Sequence, residues 1–208
     1  MSGGTAFWYA SRATGVVALL LFTTVLVLGL MVTRRGRLPG LPGFAVTSLH
    51  RNLSLLGLAF IVVHVLTAVL DGYVRIPLAS AVIPFASGYE RFWLGLGAVA
   101  LDLVIALILT SLIRGRLPRS WWRPIHLLAY LCWPVALAHG IGAGSDLRRG
   151  WLLDMAIGCA FLVVAATAWR LAAAARQVPR AAQVAAVFTR HAERSHQPSR
   201  PVRDRTPR

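Results

Sequence analysis

Five long apolar stretches, separated by short polar segments, dominate the hydropathy pattern of the chain. Each approaches the roughly 20 residues that a helix needs to cross the hydrocarbon core of a bilayer. They run approximately over residues 13–32, 49–70, 92–113, 125–141 and 151–171. This pattern predicts an all-α integral membrane bundle of about five transmembrane helices with short connections.

Composition divides the chain into three segments. Residues 1–12 form a short N-terminal segment, and residues 13–171 hold all the apolar stretches. Residues 172–208 begin alanine-rich and then become polar, basic and proline-containing. A segment of that kind has too little apolar surface to fold alone. We therefore expect a basic C-terminal tail, 172–208, that is partly helical and then disordered.

Charge supports a membrane location rather than a nucleic-acid partner. The chain is 57% hydrophobic and 14% charged, its formal net charge is +15, and all 22 basic residues are arginine. Most of these arginines flank the apolar stretches or lie in the tail, and no aromatic residues alternate with them for base stacking. Anionic lipid headgroups are the expected partner, and nucleic acid is not.

Arginine in the short loops predicts the orientation. Residues 33–47 contain three arginines, and residues 114–124 contain four without any acidic residue. Residues 71–91, by contrast, balance two arginines with Asp71 and Glu90. Because short cytoplasmic loops carry an excess of positive charge, we expect a multi-pass cell-membrane protein with its N-terminus outside and its C-terminus in the cytoplasm.

Four of the six histidines lie in the second and fourth apolar stretches. His50 and His64 have 13 residues between them, and His126 and His139 have 12. Histidine in hydrocarbon is costly, so an intramembrane histidine is a candidate functional residue. Both helices run in the same direction in the predicted topology, and this pairs His50 with His126 near the cytoplasm and His64 with His139 near the outside.

Two histidines at each of two depths suggest two b-type haems, each with an imidazole on either face of the iron. The alternative is a non-haem membrane protein whose histidines are structural or bind another metal. Arginines near the first pair suit haem propionates, since guanidinium pairs well with carboxylate. Arg51 follows His50 directly, and Arg123 lies three residues before His126. Ordinary positive-inside arginines are the alternative interpretation of both.

Helix geometry raises one difficulty. At 100° per residue, His50 and His64 lie about 40° apart around an ideal helix, whereas His126 and His139 lie about 140° apart. Pro134 lies between the second two. Because proline removes a backbone hydrogen bond and clashes with the preceding turn, we expect it to bend or rewind that helix.

These two histidine-bearing segments, SLHRNLSLLGLAFIVVHVLTAVLD and RPIHLLAYLCWPVALAHG, resemble the haem-ligating helices of the ferric reductase transmembrane superfamily. That superfamily includes ferric reductases, NADPH oxidases and the haem subunit of bacterial methionine sulfoxide reduction. The resemblance covers about residues 11–170. It implies that His50, His64, His126 and His139 are the axial ligands of two b haems.

The larger members of this family also carry flavin and nicotinamide domains. Here only the short basic tail follows the last apolar stretch, and no G-x-G-x-x-G fingerprint is present. We therefore expect no flavin or NAD(P) bound by this chain, but an oxidoreductase subunit that receives electrons from a cytoplasmic flavoprotein or from quinol. The expected acceptor lies at the outer face.

Overall fold

The computed structural model describes residues 3–32, 42–72, 74, 76–144 and 150–175, and all regular structure in these ranges is helical. The helices are α1 (Gly3–Val32), α2 (Gly43–Leu70), α3 (Ala79–Val82), α4 (Arg91–Leu112), α5 (Arg119–Leu127), α6 (Ala129–Ala143) and α7 (Gly150–Ala175). Five spans have the length and apolar composition to cross a membrane, with α5 and α6 together forming the fourth. The predicted all-α membrane bundle is confirmed.

Two antiparallel helix pairs position the histidines. In the first pair, Gly15 of α1 contacts His64 of α2, and Gly29 of α1 contacts His50. In the second pair, Gly97 of α4 lies against His139 of α6. His50 and His64 thus lie on α2 of the first helix pair. His126 and His139 lie on α5 and α6, next to α4.

A buried hydrogen bond joins the two pairs near their middle. Trp133 Nε1 of α6 donates to Thr23 Oγ1 of α1 at 2.9 Å. The same threonine hydroxyl donates to the Leu19 carbonyl oxygen at 2.7 Å, so both of its hydrogen-bonding roles are used. Leu26 of α1 and Cys159 of α7 are buried in the same cluster. Burial of a fully paired polar contact defines one arrangement of these helices rather than several.

The outer surfaces of the spans are apolar. Large hydrophobic side chains are exposed along α2 and α7, among them Val62, Leu66, Phe161 and Val164. Exposed apolar area of this extent is solvated by lipid tails rather than by water. The exposed face therefore agrees with a transmembrane location.

The fourth span is divided into two helices at Leu128, not at Pro134. The Leu128 amide donates to the Ile125 carbonyl three residues earlier, at 3.0 Å, and α6 begins at the next residue. α6 then continues through Pro134. A turn with three residues per repeat adds about 20° of rotation per residue over an α-helix. The adjustment expected between His126 and His139 thus occurs six residues before the proline.

The connection between α2 and α4 contains the short helix α3 and a tight return into the membrane. Phe85 and Glu90 have positive φ angles of 62° and 40°, which are unusual for residues with side chains. Arg91 Nε donates to the Phe85 carbonyl oxygen at 2.7 Å, and the Phe85 ring packs against Gly95. These contacts fix the connection on the first turns of α4.

The chain divides into two units, and the second begins at residue 167. Only residues 167–175, the end of α7, are described in the second unit. The helix therefore extends past residue 171 into the first residues of the alanine-rich stretch. The disordered tail predicted beyond that point lies outside the described residues, and the three-segment division stays a prediction.

Candidate functional site: two histidine pairs

The structure brings the four intramembrane histidines together as two pairs. The ring centroids of His50 and His126 are 6.3 Å apart, and those of His64 and His139 are 6.2 Å apart. The ring planes are steeply inclined in both pairs, at 63° and 78°. The pairing is the one that the sequence suggested, and its role as a ligand set stays a prediction.

Three of the four imidazoles are fixed by a backbone carbonyl of a neighbouring helix. The Nδ1–H groups donate to carbonyl oxygens at 2.7 to 3.0 Å: His64 to Ser11, His139 to Trp93 and His50 to Val25. A carbonyl oxygen accepts only, so each contact assigns the proton to Nδ1. The Nε2 lone pair of each ring is then the atom available to a metal.

Each of these contacts has a glycine four residues after the accepting carbonyl. A β-carbon at Gly97 would lie 2.7 Å from Cε1 and Nδ1 of His139, and one at Gly15 would lie 3.0 Å from the same atoms of His64. At Gly29 the corresponding distance to Cε1 of His50 is 3.3 Å. The missing side chain is what lets each ring approach the helix closely enough to reach its carbonyl.

Sequence reasoning missed these glycines, although a signal was present. Gly15 and Gly29 have 13 residues between them, which is also the number between His50 and His64. On antiparallel helices, equal spacings place both glycines opposite both histidines. The sequence does not show which helix lies next to α2, and without that information the matching spacings cannot be interpreted.

His126 is held differently from the other three. Its Nδ1 is buried without a hydrogen-bond partner in the described residues. Its ring instead stacks on Trp122, with centroids 4.7 Å apart and planes inclined by 19°. The guanidinium carbon of Arg114 lies 4.5 Å from the Trp122 ring centroid on a cation–π contact. Arg114, Trp122 and His126 thus form a stacked column.

Arg51 and Arg123, the predicted propionate partners, are both exposed. The stacked column identifies Arg114 as the arginine coupled to His126 through contacts that the structure describes. Trp122 was detectable in the sequence, because a residue four positions before His126 lies on the same helical face. Arg114 was not, since it lies in the preceding turn. The roles of Arg51 and Arg123 stay predictions.

The residues of both pairs fit a haem iron better than an isolated metal ion. The described residues contain no group of three or more His, Cys, Asp or Glu side chains that could hold a metal ion. Protein zinc sites use three or four such ligands, whereas haem needs only axial ones. Two imidazoles that bind one metal from opposite sides, at about 2 Å each, have centroids roughly 6 Å apart. Both pairs have this separation.

Comparison with known proteins supports the same family as the histidine pattern. The model of the family described as "Ferric reductase like transmembrane component" matches residues 14–137, more than half of the chain. The match includes three of the four paired histidines and ends two residues before His139. No curated protein and no solved structure matches. The chain belongs to the family of ferric reductase-like transmembrane components.

Proposed function

We propose that the chain carries single electrons across the membrane through two b haems, each held by one histidine pair. The observation that carries this proposal is the presence of two facing imidazole pairs at two depths, with centroid separations of 6.3 and 6.2 Å. A haem held by one histidine pair would supply reversible one-electron exchange.

The side chains have distinct tasks in this proposal. His50 and His126 bind the inner haem, and His64 and His139 bind the outer one. Along α2 the ligands are 14 positions apart, which corresponds to about 21 Å at 1.5 Å per residue. Two centres at this separation together span most of a hydrocarbon core of roughly 30 Å. A single centre would not.

The proposed direction is outward. The arginine-rich connection before α5 faces the cytoplasm, and the connection that contains α3 faces outside. The donor is a cytoplasmic flavoprotein or membrane quinol, and the acceptor reacts at the outer face. The chain is then an oxidoreductase subunit whose substrates are set by its partners. The family match supports transmembrane electron transfer.

The alternative, in which the histidines are structural or bind another metal, is less well supported. Buried polar groups are normally paired, and the described hydrogen bonds account for Nδ1 in three of the four rings but leave Nε2 to another partner. A non-haem metal lacks further ligands among the described residues. Neither form of the alternative explains two matched pairs.

Purified protein from haem-replete cells tests the proposal. We expect a reduced-minus-oxidised spectrum of b type and two haems per chain by pyridine haemochrome assay. A colourless preparation that is folded by circular dichroism would contradict the proposal.

Single-histidine variants test the pairing. We expect His64→Ala and His139→Ala to remove the same haem, and His50→Ala and His126→Ala to remove the other, because each iron loses one of its two axial ligands. Spectroscopic redox titration of the remaining haem identifies the centre that is lost. If His64→Ala and His126→Ala removed the same component, the pairing would be wrong.

A further inference from the structure

A cleft of about 540 Å³ lies between the end of α4 and the start of α5. Its lining consists of Arg114, Gly115, Leu117, Arg119 and Trp122. The polar side chains in this lining are all hydrogen-bond donors, since guanidinium and indole groups have no acceptor. No acidic residue occurs anywhere in residues 113–128.

Two buried ring nitrogens without partners lie on Trp122, which lines the cleft, and on His126, which stacks against it. The described residues contain two buried side-chain polar atoms that make no hydrogen bond, Trp122 Nε1 and His126 Nδ1. The two rings stack on each other. Buried polar groups are normally paired, so a pair of orphans on adjacent rings indicates an absent acceptor. That His126 Nδ1 carries a proton rests on the proposed function, whereas the indole N–H of Trp122 is a donor in any case.

We infer that this cleft binds an oxyanion, a carboxylate or a phosphate, through Arg114, Arg119 and Trp122. The stacked column connects the cleft to the His50–His126 pair, because Arg114 lies over Trp122 and Trp122 over His126. A neutral ligand offers acceptor oxygens but no charge to balance two guanidinium groups. An oxyanion offers both, and arginine pairs with carboxylate and phosphate in the same forked geometry.

Two sources provide this chemistry. One is a propionate of the haem at the His50–His126 pair. The other is the phosphate of an anionic phospholipid in the leaflet that surrounds the arginines. Both give the same local contacts, and they differ in what is lost when the contacts are removed.

The experiment uses the full-length protein as purified in phosphatidylglycerol-containing nanodiscs. Trp122→Phe removes the indole N–H and keeps an aromatic ring for stacking. Arg114→Gln removes one charge at an exposed position. Arg116→Gln is the matched control, because Arg116 is an exposed residue of the same turn that does not line the cleft. Transfer of haem to excess apomyoglobin and the phosphatidylglycerol retained per chain in native mass spectra are measured for each.

A propionate in the cleft predicts that one of the two haem-transfer phases accelerates about tenfold in Trp122→Phe and Arg114→Gln, with lipid retention unchanged. A lipid phosphate predicts about tenfold less retained phosphatidylglycerol and unchanged haem transfer. The inference is overturned if both variants behave like Arg116→Gln in both measurements. A wild-type protein without haem would refute the proposed function, and lipid retention alone would then decide on the cleft.

Discussion

At the scale of single residues, the main finding is that backbone carbonyls of neighbouring helices determine which ring nitrogen carries the proton in three of the four histidines. Ser11, Val25 and Trp93 contribute only their carbonyl oxygens. Because any residue has a carbonyl, side-chain chemistry in the sequence does not reveal this role. Glycine is the one visible trace, since the close approach excludes a β-carbon at Gly97, Gly15 and Gly29.

Gly97→Ala tests this role. The added β-carbon would lie 2.7 Å from the His139 ring, so the ring and the α4 backbone must separate, which disturbs the contact between His139 and the Trp93 carbonyl. We expect the haem of the His64–His139 pair to bind about tenfold more weakly or worse, as for other groups that orient metal ligands. The haem of the other pair should be retained. Haem content and redox titration measure both.

Two control variants accompany this test. Gly158→Ala lies in α7, where an added β-carbon meets nothing within 4 Å, and we expect no loss of haem. Ser11→Ala keeps the carbonyl that accepts the bond from His64 Nδ1 and removes only a 3.5 Å hydroxyl contact. We expect less than about a threefold effect on haem affinity from a contact this long. Equal haem loss in Gly97→Ala and Gly158→Ala would argue against the role of the close approach.

At the scale of helices, the sequence predicts the five spans well. It predicts neither the break between α5 and α6 nor the contact between α1 and α6. Hydropathy identifies a span because lipid imposes the same requirement along its whole length. The break at Leu128 depends on one three-residue turn. The hydrogen bond from Trp133 to Thr23 depends on contact between two helices that are distant in sequence. Neither leaves a periodic signal. The irregularity was expected at Pro134, because proline is the residue that sequence rules recognise as interrupting a helix.

Thr23→Val tests the buried hydrogen bond between α1 and α6. The change keeps the shape of the side chain and removes the acceptor for the buried Trp133 N–H. An orphaned buried donor costs about 1–3 kcal/mol, so we expect a lower midpoint of thermal unfolding in detergent. Thr24→Val is the matched control, because Thr24 is exposed and bonds only within its own helix. Equal midpoints for both variants would show that this hydrogen bond contributes nothing measurable.

At the scale of the whole molecule, arginine distribution predicts which connections face the cytoplasm. Both cysteines of the chain, Cys132 and Cys159, are buried, so an introduced surface cysteine can be labelled selectively. In sealed right-side-out membranes we expect an impermeant maleimide to label Gly88→Cys and not Arg116→Cys. Opening the membranes should expose Arg116→Cys. The reverse pattern would invert the proposed direction of electron transfer.

The sequence predicted the family, the membrane architecture and which histidines meet. The family and the architecture follow from composition and hydropathy, and the histidine pairing follows from the two spacings together with the parallel direction of the second and fourth spans. The Nδ1 contacts, the close-approach glycines and the column at Trp122 depend on which helices are neighbours. For this reason they emerged only from the structure.

The two histidines of each pair lie on different helix pairs, and this has a consequence for assembly. During synthesis α1 and α2 emerge first, and with them the Val25 and Ser11 carbonyls that orient His50 and His64. The partner imidazoles arrive only with α5 and α6. If haem binds both histidines of a pair, as proposed, it binds the closed bundle and not the separated one, and haem supply would raise the stability of the bundle by mass action. Cells short of haem would then accumulate less of this protein, before any electron is transferred.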